Sequence, residues 1–373
     1  MIKVGIDIQS TVGRTTGLGV YTRHLTEALR KTQSGQFQYH WYLKESEKDL
    51  NTFRRWYWEN VQLPPLVAKD KVDILHIPAF APPFYSKHKV VVTVHDIIGM
   101  IFPNQLRWPS RWYWGRWLPT AIKTADFIIA DSDSTKNDLI NHLKISKDMI
   151  RVIYPSGHES FTTQRNEKLL NQVKARFSIH DRYFLFVGTI EPRKNLKRVI
   201  EAFTIFQENI KSSARYQLVV VGQKDFGKGK LFKSIAHDLR TKIDDIIFAG
   251  YVRQEELNQL YCGAEALVYP SLYEGFGIPI LEAMASGVPV ITAKKTSMPE
   301  VAGEAALYVD PYDSQSIANG MLELHDQPEL RERLAQNSAI QIKKFSWQKT
   351  AEQTCEVYRQ LAEGVIPARR KRS

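Results

Sequence analysis

Short, almost uninterrupted apolar runs alternate along the chain with longer stretches whose apolar positions recur every three or four residues. In the first half the runs fall at residues 2–8, 37–43, 73–76, 90–94, 127–130 and 150–154. In the second half they fall at residues 183–187, 218–221, 246–249, 266–269, 288–292 and 306–309. Runs of this length read as strands buried on both faces, and the amphipathic stretches between them as helices. The pattern predicts an α/β protein of two doubly wound parallel-sheet domains. Residues 1–160 form the first domain and 161–180 a linker with one helix at most. Residues 181–345 form the second, and 346–373 a last helix, around Trp347 to Leu361, with a basic tail.

Ligands of open parallel sheets bind outside the carboxyl ends of the strands, and the unusual residues of this chain lie there. The most distinctive stretch runs from Pro270 to Ala283. It reads as the end of a strand, a glycine loop, and a helix with Pro279 in its first turn and Gly287 as its C-terminal stop. Gly275 and Gly277 let the backbone approach a ligand, and the helix start, with Phe276 and Ile278, offers N–H groups that favour an anion. Glu274 and Glu282 can face one cleft and hold hydroxyls of a phosphate-bearing ligand; the alternative is a plain strand–turn–helix with surface glutamates. Arg193 and Lys194 stand where they can neutralise a diphosphate, Arg bidentate and Lys as a point charge, or remain solvated surface charge.

Other strand ends are less specific. Gly17-Leu18-Gly19 closes a glycine loop begun at Gly13, before a helix expected near Val20 and Tyr21. It matches neither the dinucleotide fingerprint nor the P-loop, so it is a phosphate cradle or a flexible turn. His95 can bond a sugar hydroxyl or stabilise a reacting centre, or can be structural, and Asp96 can cap the segment beyond it. Asp131-Ser132-Asp133 has the D-x-D spacing of many metal-dependent sugar transferases. The helix-like residues after it favour an N-cap at Asp133 or Ser134, and no metal is expected. One ligand between two facing domains would account for both sets of strand-end residues.

Composition changes this picture little. A chain of 373 residues, 43% hydrophobic and 24% charged, supports two cores. A net charge of +11 invites an anionic partner without naming it. Cys262 and Cys355 suggest neither a disulfide framework nor a zinc site, which fits a reducing cytosol. The short apolar run at the N-terminus reads as a strand, not a signal peptide, and no run reaches membrane-spanning length. Residues 102–118 are the exception, with Trp108, Trp112, Trp114 and Trp117 interleaved with Arg107, Arg111 and Arg116. These suit an anionic membrane surface, helped by the basic C-terminus Arg369-Arg370-Lys371-Arg372, or else pack in a core. Nucleic acid is not expected, because the second half has no matching pattern.

Together Gly188-Thr189-Ile190-Glu191-Pro192-Arg193-Lys194-Asn195, the Glu274–Glu282 spacing, Glu282 to Val290 and Pro299-Glu300-Val301-Ala302-Gly303 resemble glycosyltransferase family 4. Members are retaining, nucleotide-sugar-dependent enzymes of the GT-B fold, two Rossmann-like domains facing across a cleft. Gly17-Leu18-Gly19-Val20-Tyr21 and Val94-His95-Asp96 match more loosely, and the branch it resembles holds bacterial mannosyltransferases of surface polysaccharide and O-antigen assembly. The resemblance implies that the first domain takes the acceptor and the second the donor. Glu282 would bind ribose, Glu274 the donor sugar, and Arg193, Lys194 and the backbone from Gly275 to Ile278 the diphosphate. The base would lie near Tyr251 and Val252, His95 near the reacting carbon, and Gly17 to Gly19 near the diphosphate or acceptor. The final helix would return to the first domain. Many relatives have Arg where this chain has Thr189, leaving more of the phosphate charge to Arg193 and Lys194. The implied activity moves a hexose, foremost mannose from GDP-mannose, onto a lipid-linked or polysaccharide acceptor. It needs no further cofactor and is placed at the cytoplasmic face of the inner membrane. UDP- and dTDP-sugars, or a non-catalytic scaffold role, are the alternatives; a dinucleotide oxidoreductase lacks its fingerprint.

Overall fold

The computed structural model describes residues 1–12, 17–32, 35–44, 50–106, 108–157, 159–180, 182–210, 215–222 and 245–366. The loop residues Gly13 to Thr16, Arg107 and the basic cluster from Arg369 to Arg372 lie outside them. The chain divides into two compact units, Met1–Pro155 with the chain from Phe345 onward, and Ser156–Lys344.

The first unit holds strands β1 (Ile2–Asp7), β2 (Phe37–Tyr42), β3 (Ile74–Ile77), β4 (Lys89–Val94), β5 (Phe127–Ala130) and β6 (Ile150–Val152) in the order β2-β1-β3-β4-β5-β6. All neighbours are parallel. Apolar runs with no alternation make such strands because both faces are covered. In β4, Val90, Val92 and Val94 enter one core cluster while Val91 enters the other. The second cluster is completed by helix Trp347–Ala362, whose Trp347, Ala351, Tyr358 and Leu361 are buried there. Tyr358 Oη also meets His76 Nδ1 at 2.5 Å, while Thr93 Oγ1 meets His76 Nε2 at 2.8 Å. Burial drives that imidazole's pKa down to about 3, so it is a neutral strut.

The second unit holds β7 (Arg182–Val187), β8 (Tyr216–Val221), β9 (Ile246–Gly250), β10 (Ala266–Tyr269), β11 (Val290–Ala293) and β12 (Ala306–Val309). Their order, β9-β8-β7-β10-β11-β12, is that of a Rossmann sheet, with its topological switch between β7 and β10. Residues 161–180, expected as a linker, lie within this unit. There helix Glu167–Phe177, capped by Asn166, buries Leu170 and Val173. Two apolar residues one turn apart dock this helix instead of leaving it free.

The stop at Gly287 is as the sequence predicts. Helix Ile278–Ala285 has Ser286 as its C-cap, and Gly287 follows with φ 72°. Gly287 N–H donates to the Met284 carbonyl at 3.1 Å and Val288 N–H to the Ala283 carbonyl at 2.9 Å, a Schellman closure that satisfies two end carbonyls. Two other starts differ from expectation. Helix Gly17–Lys31 begins at Gly17, so Gly17, Leu18 and Gly19 form its first turn and not a loop before it. The cap of helix Asp133–Leu143 is Ser132, whose Oγ accepts from Thr135 N–H at 3.0 Å; Asp133 is its first residue. Ser132 has the extended backbone that a cap requires, and Asp133 is already helical.

Candidate active site

In the second unit, the pairing of β7 with β10 (Phe184 opposite Ala266, Leu185 opposite Leu267) fixes which loops meet at the switch point. The loop after β7 carries the turn Pro192–Lys194, and the loop after β10 carries Glu274. Leu272 N–H donates to the Arg193 carbonyl at 2.7 Å, and Asn195 Nδ2 donates to the Pro270 carbonyl at 3.0 Å. Asn195 also donates to the Pro311 carbonyl at 2.6 Å, so this one amide ties three loops together.

On that frame Glu274, 6% exposed, gathers its partners. Lys194 Nζ lies 2.7 Å from Oε1, Arg193 Nη1 lies 3.1 Å from Oε2, and Tyr269 Oη donates to Oε1 at 2.9 Å. Lys194 Nζ also bonds Tyr269 Oη. Burial pushes the Glu274 pKa up, but Lys194 and then Arg193 outweigh it, so the carboxyl stays below its ordinary range. Burial lowers the Lys194 pKa, with Glu274 opposing and Arg193 reinforcing the shift. Arg193 Nε further meets Glu191 Oε2 at 2.9 Å, and Thr189 Oγ1 donates to Glu191 Oε1 at 2.8 Å. The two cations read as able to neutralise a diphosphate, or to remain solvated surface charge, are each held by carboxylate. The sequence-level sum of +2 becomes zero over Arg193, Lys194, Glu191 and Glu274. Both oxygens of Glu274, read from the sequence as able to hold ligand hydroxyls, are engaged by these cations and Tyr269.

Beside this cluster Ser297 Oγ bonds the carbonyls of Glu274 (3.0 Å) and Phe276 (2.8 Å), holding the buried stretch Gly275, Phe276, Gly277. Gly277 sits at φ 106° and ψ 50°, a conformation open to glycine, and turns the chain into helix Ile278–Ala285. The first-turn N–H groups there have no side-chain cap. They leave the positive end of a helix beside the ion cluster. One turn into the helix, Glu282 is engaged by Tyr261, whose Oη donates to Oε2 at 2.9 Å, and not by Arg193 or Lys194. Burial raises its pKa to about 7, the Tyr261 bond opposing. β9 ends at Gly250 and is followed by Tyr251, 73% exposed and open to stack on a ring, and by buried Val252.

The first unit builds its own constellation by the same device. β3, β4 and β5 are neighbours, and Val94 stands opposite Ala130. The next residues, His95 and Asp131, are thereby placed side by side. His95 Nδ1 lies 2.5 Å from Asp131 Oδ2 and Nε2 lies 2.8 Å from the Pro78 carbonyl. A carboxylate and a carbonyl only accept, so the ring donates from both nitrogens and is an imidazolium. Burial works against that charge, but Asp131, the Pro78 carbonyl and Asp96 outweigh it and raise the pKa. The ring edge expected to meet a sugar is thus occupied by Pro78. Asp131 Oδ1 is buried with no hydrogen-bond partner among the described residues. Asp96 Oδ1 accepts from Ile98 N–H at 2.9 Å in a local turn, while the N-cap position of helix Ile98–Ile101 is Ile97. Leu18, Phe80, His95, Asp96 and Trp114 line a cavity of about 150 Å³.

Sequence reasoning missed Tyr269, Tyr261, Ser297, Pro78 and the role of Asp131. The position of Tyr269 and Asp131 at or just after strand ends is the signal that could have found them. Of the tryptophans between 108 and 117, Trp108 and Trp112 are exposed while Trp114 and Trp117 pack on the core.

The Glycosyl transferases group 1 family model matches residues 170–341, and the Glycosyltransferase Family 4 model matches residues 15–156. The chain is 31% identical over 283 residues to O-antigen chain mannosyltransferase B of Escherichia coli, covering 75% of this chain and 73% of that one. It is 31% identical over 239 residues to O-antigen chain mannosyltransferase RfbU of Salmonella typhimurium strain LT2, covering 64% of this chain and 61% of that one, under two thirds of RfbU's length. Sucrose-phosphate synthase from Thermosynechococcus elongatus shares the fold, with a TM-score of 0.73 and 18% identity over 98% of this chain and 100% of that one. With matching family models in both units and a relative above 30% identity over most of its own length, the chain belongs to glycosyltransferase family 4 and is a glycosyltransferase of the GT-B fold.

Proposed function

We propose that this glycosyltransferase moves mannose from GDP-mannose onto a lipid-linked glycan, with retention and without metal, at the cytoplasmic face of the inner membrane. The observation that carries the reading is the buried cluster of Arg193, Lys194 and Glu274 beside the uncapped start of helix Ile278–Ala285. The likeness to two O-antigen mannosyltransferases supports the sugar.

On this reading Glu274 exchanges its cations for hydroxyls of the donor sugar, and Arg193 and Lys194 turn to the diphosphate. The N–H groups from Gly275 to Ile278 share that charge, Glu282 takes the ribose hydroxyls, and the base lies along Tyr251 and Val252. The bond from the anomeric carbon to the leaving phosphate oxygen breaks as the acceptor oxygen bonds the same face. The acceptor's proton passes to the leaving phosphate oxygen. The developing charge is stabilised by two cations and a helix end, placed before the reaction starts. His95, a fixed cation, supplies positive charge near the reacting carbon, while Gly17, Leu18 and Gly19 serve the acceptor side.

Purified protein offered GDP-, UDP- and dTDP-sugars with lipid-linked acceptors tests this. Mannose transfer from the GDP donor that persists in chelator, with the product's anomeric configuration unchanged, is expected. Use of a UDP- or dTDP-sugar instead corrects the donor. Transfer unimpaired by Lys194→Ala and Glu274→Ala sinks the site assignment. Absence of both donor binding and transfer points to a scaffold role.

A further inference from the structure

The first unit carries an exposed aromatic surface that sequence order hides. Residues 52–70 form a continuous helical segment, Thr52–Tyr57, Trp58–Gln62 and Leu63–Asp70. Its inner side chains Trp58, Leu63 and Val67 are buried, yet Phe53, Tyr57 and Val61, spaced four apart, are exposed. This stripe does not stand alone. Phe53 meets Trp108 edge-on at 5.8 Å, and Trp56 meets Trp117 at 5.9 Å. Phe84 lies 5.7 Å from Trp117 and donates its N–H to Asn60 Oδ1 at 3.0 Å, joining a third stretch to the other two. Trp108, at 74% exposed, and Tyr85, at 72%, are among the most exposed large apolar residues of the described chain. Contiguous apolar area of this kind marks a binding surface.

The charges around it select the partner. Residues 52–70, 82–88 and 108–117 contain six Lys or Arg and two carboxylates, Glu59 and Asp70, the latter accepting from Tyr42 Oη at 2.9 Å. Glu59 is 1% exposed and accepts from Tyr113 Oη, so it offers no negative charge to solvent. Arg54, Lys69, Arg111 and Arg116 are exposed. A second copy of the chain would set like charges against each other, which disfavours self-association. Tryptophan and tyrosine among arginines and lysines match the headgroup zone of an anionic bilayer, where rings sit among acyl and glycerol groups and cations meet phosphates. We infer that these three segments together form a docking surface for anionic phospholipid, with the exposed ridge Phe53, Tyr57 and Val61 entering beside Trp108. The inference deepens the reading of an enzyme working at a membrane face. It assigns that contact to residues 52–70 as well as to the tryptophan stretch, and does not need the basic C-terminus.

Full-length protein is sedimented with vesicles of phosphatidylcholine containing phosphatidylglycerol, and with phosphatidylcholine alone, over a salt series. Binding to the anionic vesicles that weakens with salt is expected. Arg111→Gln with Arg116→Gln should weaken it by about fivefold for each charge. Phe53→Ser with Tyr57→Ser and Trp108→Ser should weaken it by roughly tenfold or more. These side chains are exposed, so circular dichroism and GDP-sugar binding should match wild type and show that the variants fold. Wild-type protein that ignores anionic vesicles, or variants that bind them as wild type does, overturns the inference. So does a single-stranded oligonucleotide bound in preference to vesicles, or a solution dimer that the triple variant disperses. Vesicle binding without any sugar transfer would instead sink the proposed activity and leave the surface standing.

Discussion

Glu282 is a test of the second unit's electrostatics that needs no substrate. Its carboxyl is partly buried on helix Ile278–Ala285, accepts from Tyr261, and titrates at about 7 against an ordinary 4.5. A raised folded pKa means that the folded state holds the proton longer than the unfolded chain does. Its contribution is therefore complete below the unfolded pKa, declines as the unfolded chain ionises, and is lost once pH passes the folded value. The difference of about 2.5 units corresponds to about 3 kcal/mol at most, since solvent reaches part of the group. Glu282→Gln keeps an oxygen to accept from Tyr261 and cannot ionise. Its stability relative to wild type should rise by up to about 3 kcal/mol between about pH 4 and pH 8. Asp7, raised to about 6 chiefly by burial, bends the stability of both proteins alike and cancels in the difference. Urea unfolding provides the assay. All eight tryptophans lie in the first unit, so their fluorescence follows that unit and serves as a control, while far-ultraviolet circular dichroism follows both. A difference that is flat across this pH range, or that grows toward acid, refutes the reasoning.

Lys194→Met leaves Glu274 buried with one cation fewer and should cost about 3 kcal/mol in urea unfolding. Adding Glu274→Gln should recover part of that loss, and a purely additive double variant would deny the coupling. Asp131→Asn removes the chief support of the His95 charge, so the imidazole pKa, read by NMR, should fall. The His95 contribution to stability is present below its unfolded pKa and lost as pH rises through the raised folded one. In the variant that loss should move to lower pH, and an unmoved titration would show that Asp131 is not what holds the ring. Gly287→Ala forces a left-handed backbone on a residue with a side chain, whose Cβ would stand 3.1 Å from Thr163 Cγ2. A loss of about 1–2 kcal/mol is expected, and full wild-type stability would contradict the observed helix end.

What could be read from the chain divides along a physical line. Strands were legible because burial on both faces leaves no polar alternation, and the helix end at Gly287 because a left-handed stop asks for glycine. The docking of helix Glu167–Phe177 was not, since two inward residues separated by the polar Asn171 and Gln172 resemble a linker until a partner surface exists. Nor was the helix start at Gly17, because glycine weakens the helical signal where the helix begins. The missed Asp131 role has a different cause. Nothing within a local window joins residues 36 apart; the pairing of β4 with β5 does, by setting Val94 against Ala130.

The same cause explains why charge was the least legible property of the site. Parallel neighbours deliver the residues just beyond their carboxyl ends to one place, so a cation after one strand readily meets an anion after the next. His95 after β4 meets Asp131 after β5, and Arg193 and Lys194 after β7 meet Glu274 after β10. Counting cations along the sequence therefore overstates the field that a diphosphate would encounter. On the proposed reading a donor cannot simply add to Arg193 and Lys194. It must offer Glu274 substitute hydrogen bonds as it takes the cations, because a buried carboxylate left unpaired costs several kcal/mol, on the order of what one phosphate contact returns. A nucleotide-sugar carries sugar hydroxyls beside its diphosphate and can do both, whereas a bare nucleoside diphosphate has only its ribose hydroxyls, which on this reading go to Glu282. The cluster should then favour the intact donor over the free nucleotide, and Glu274→Gln should erase that preference by freeing the cations.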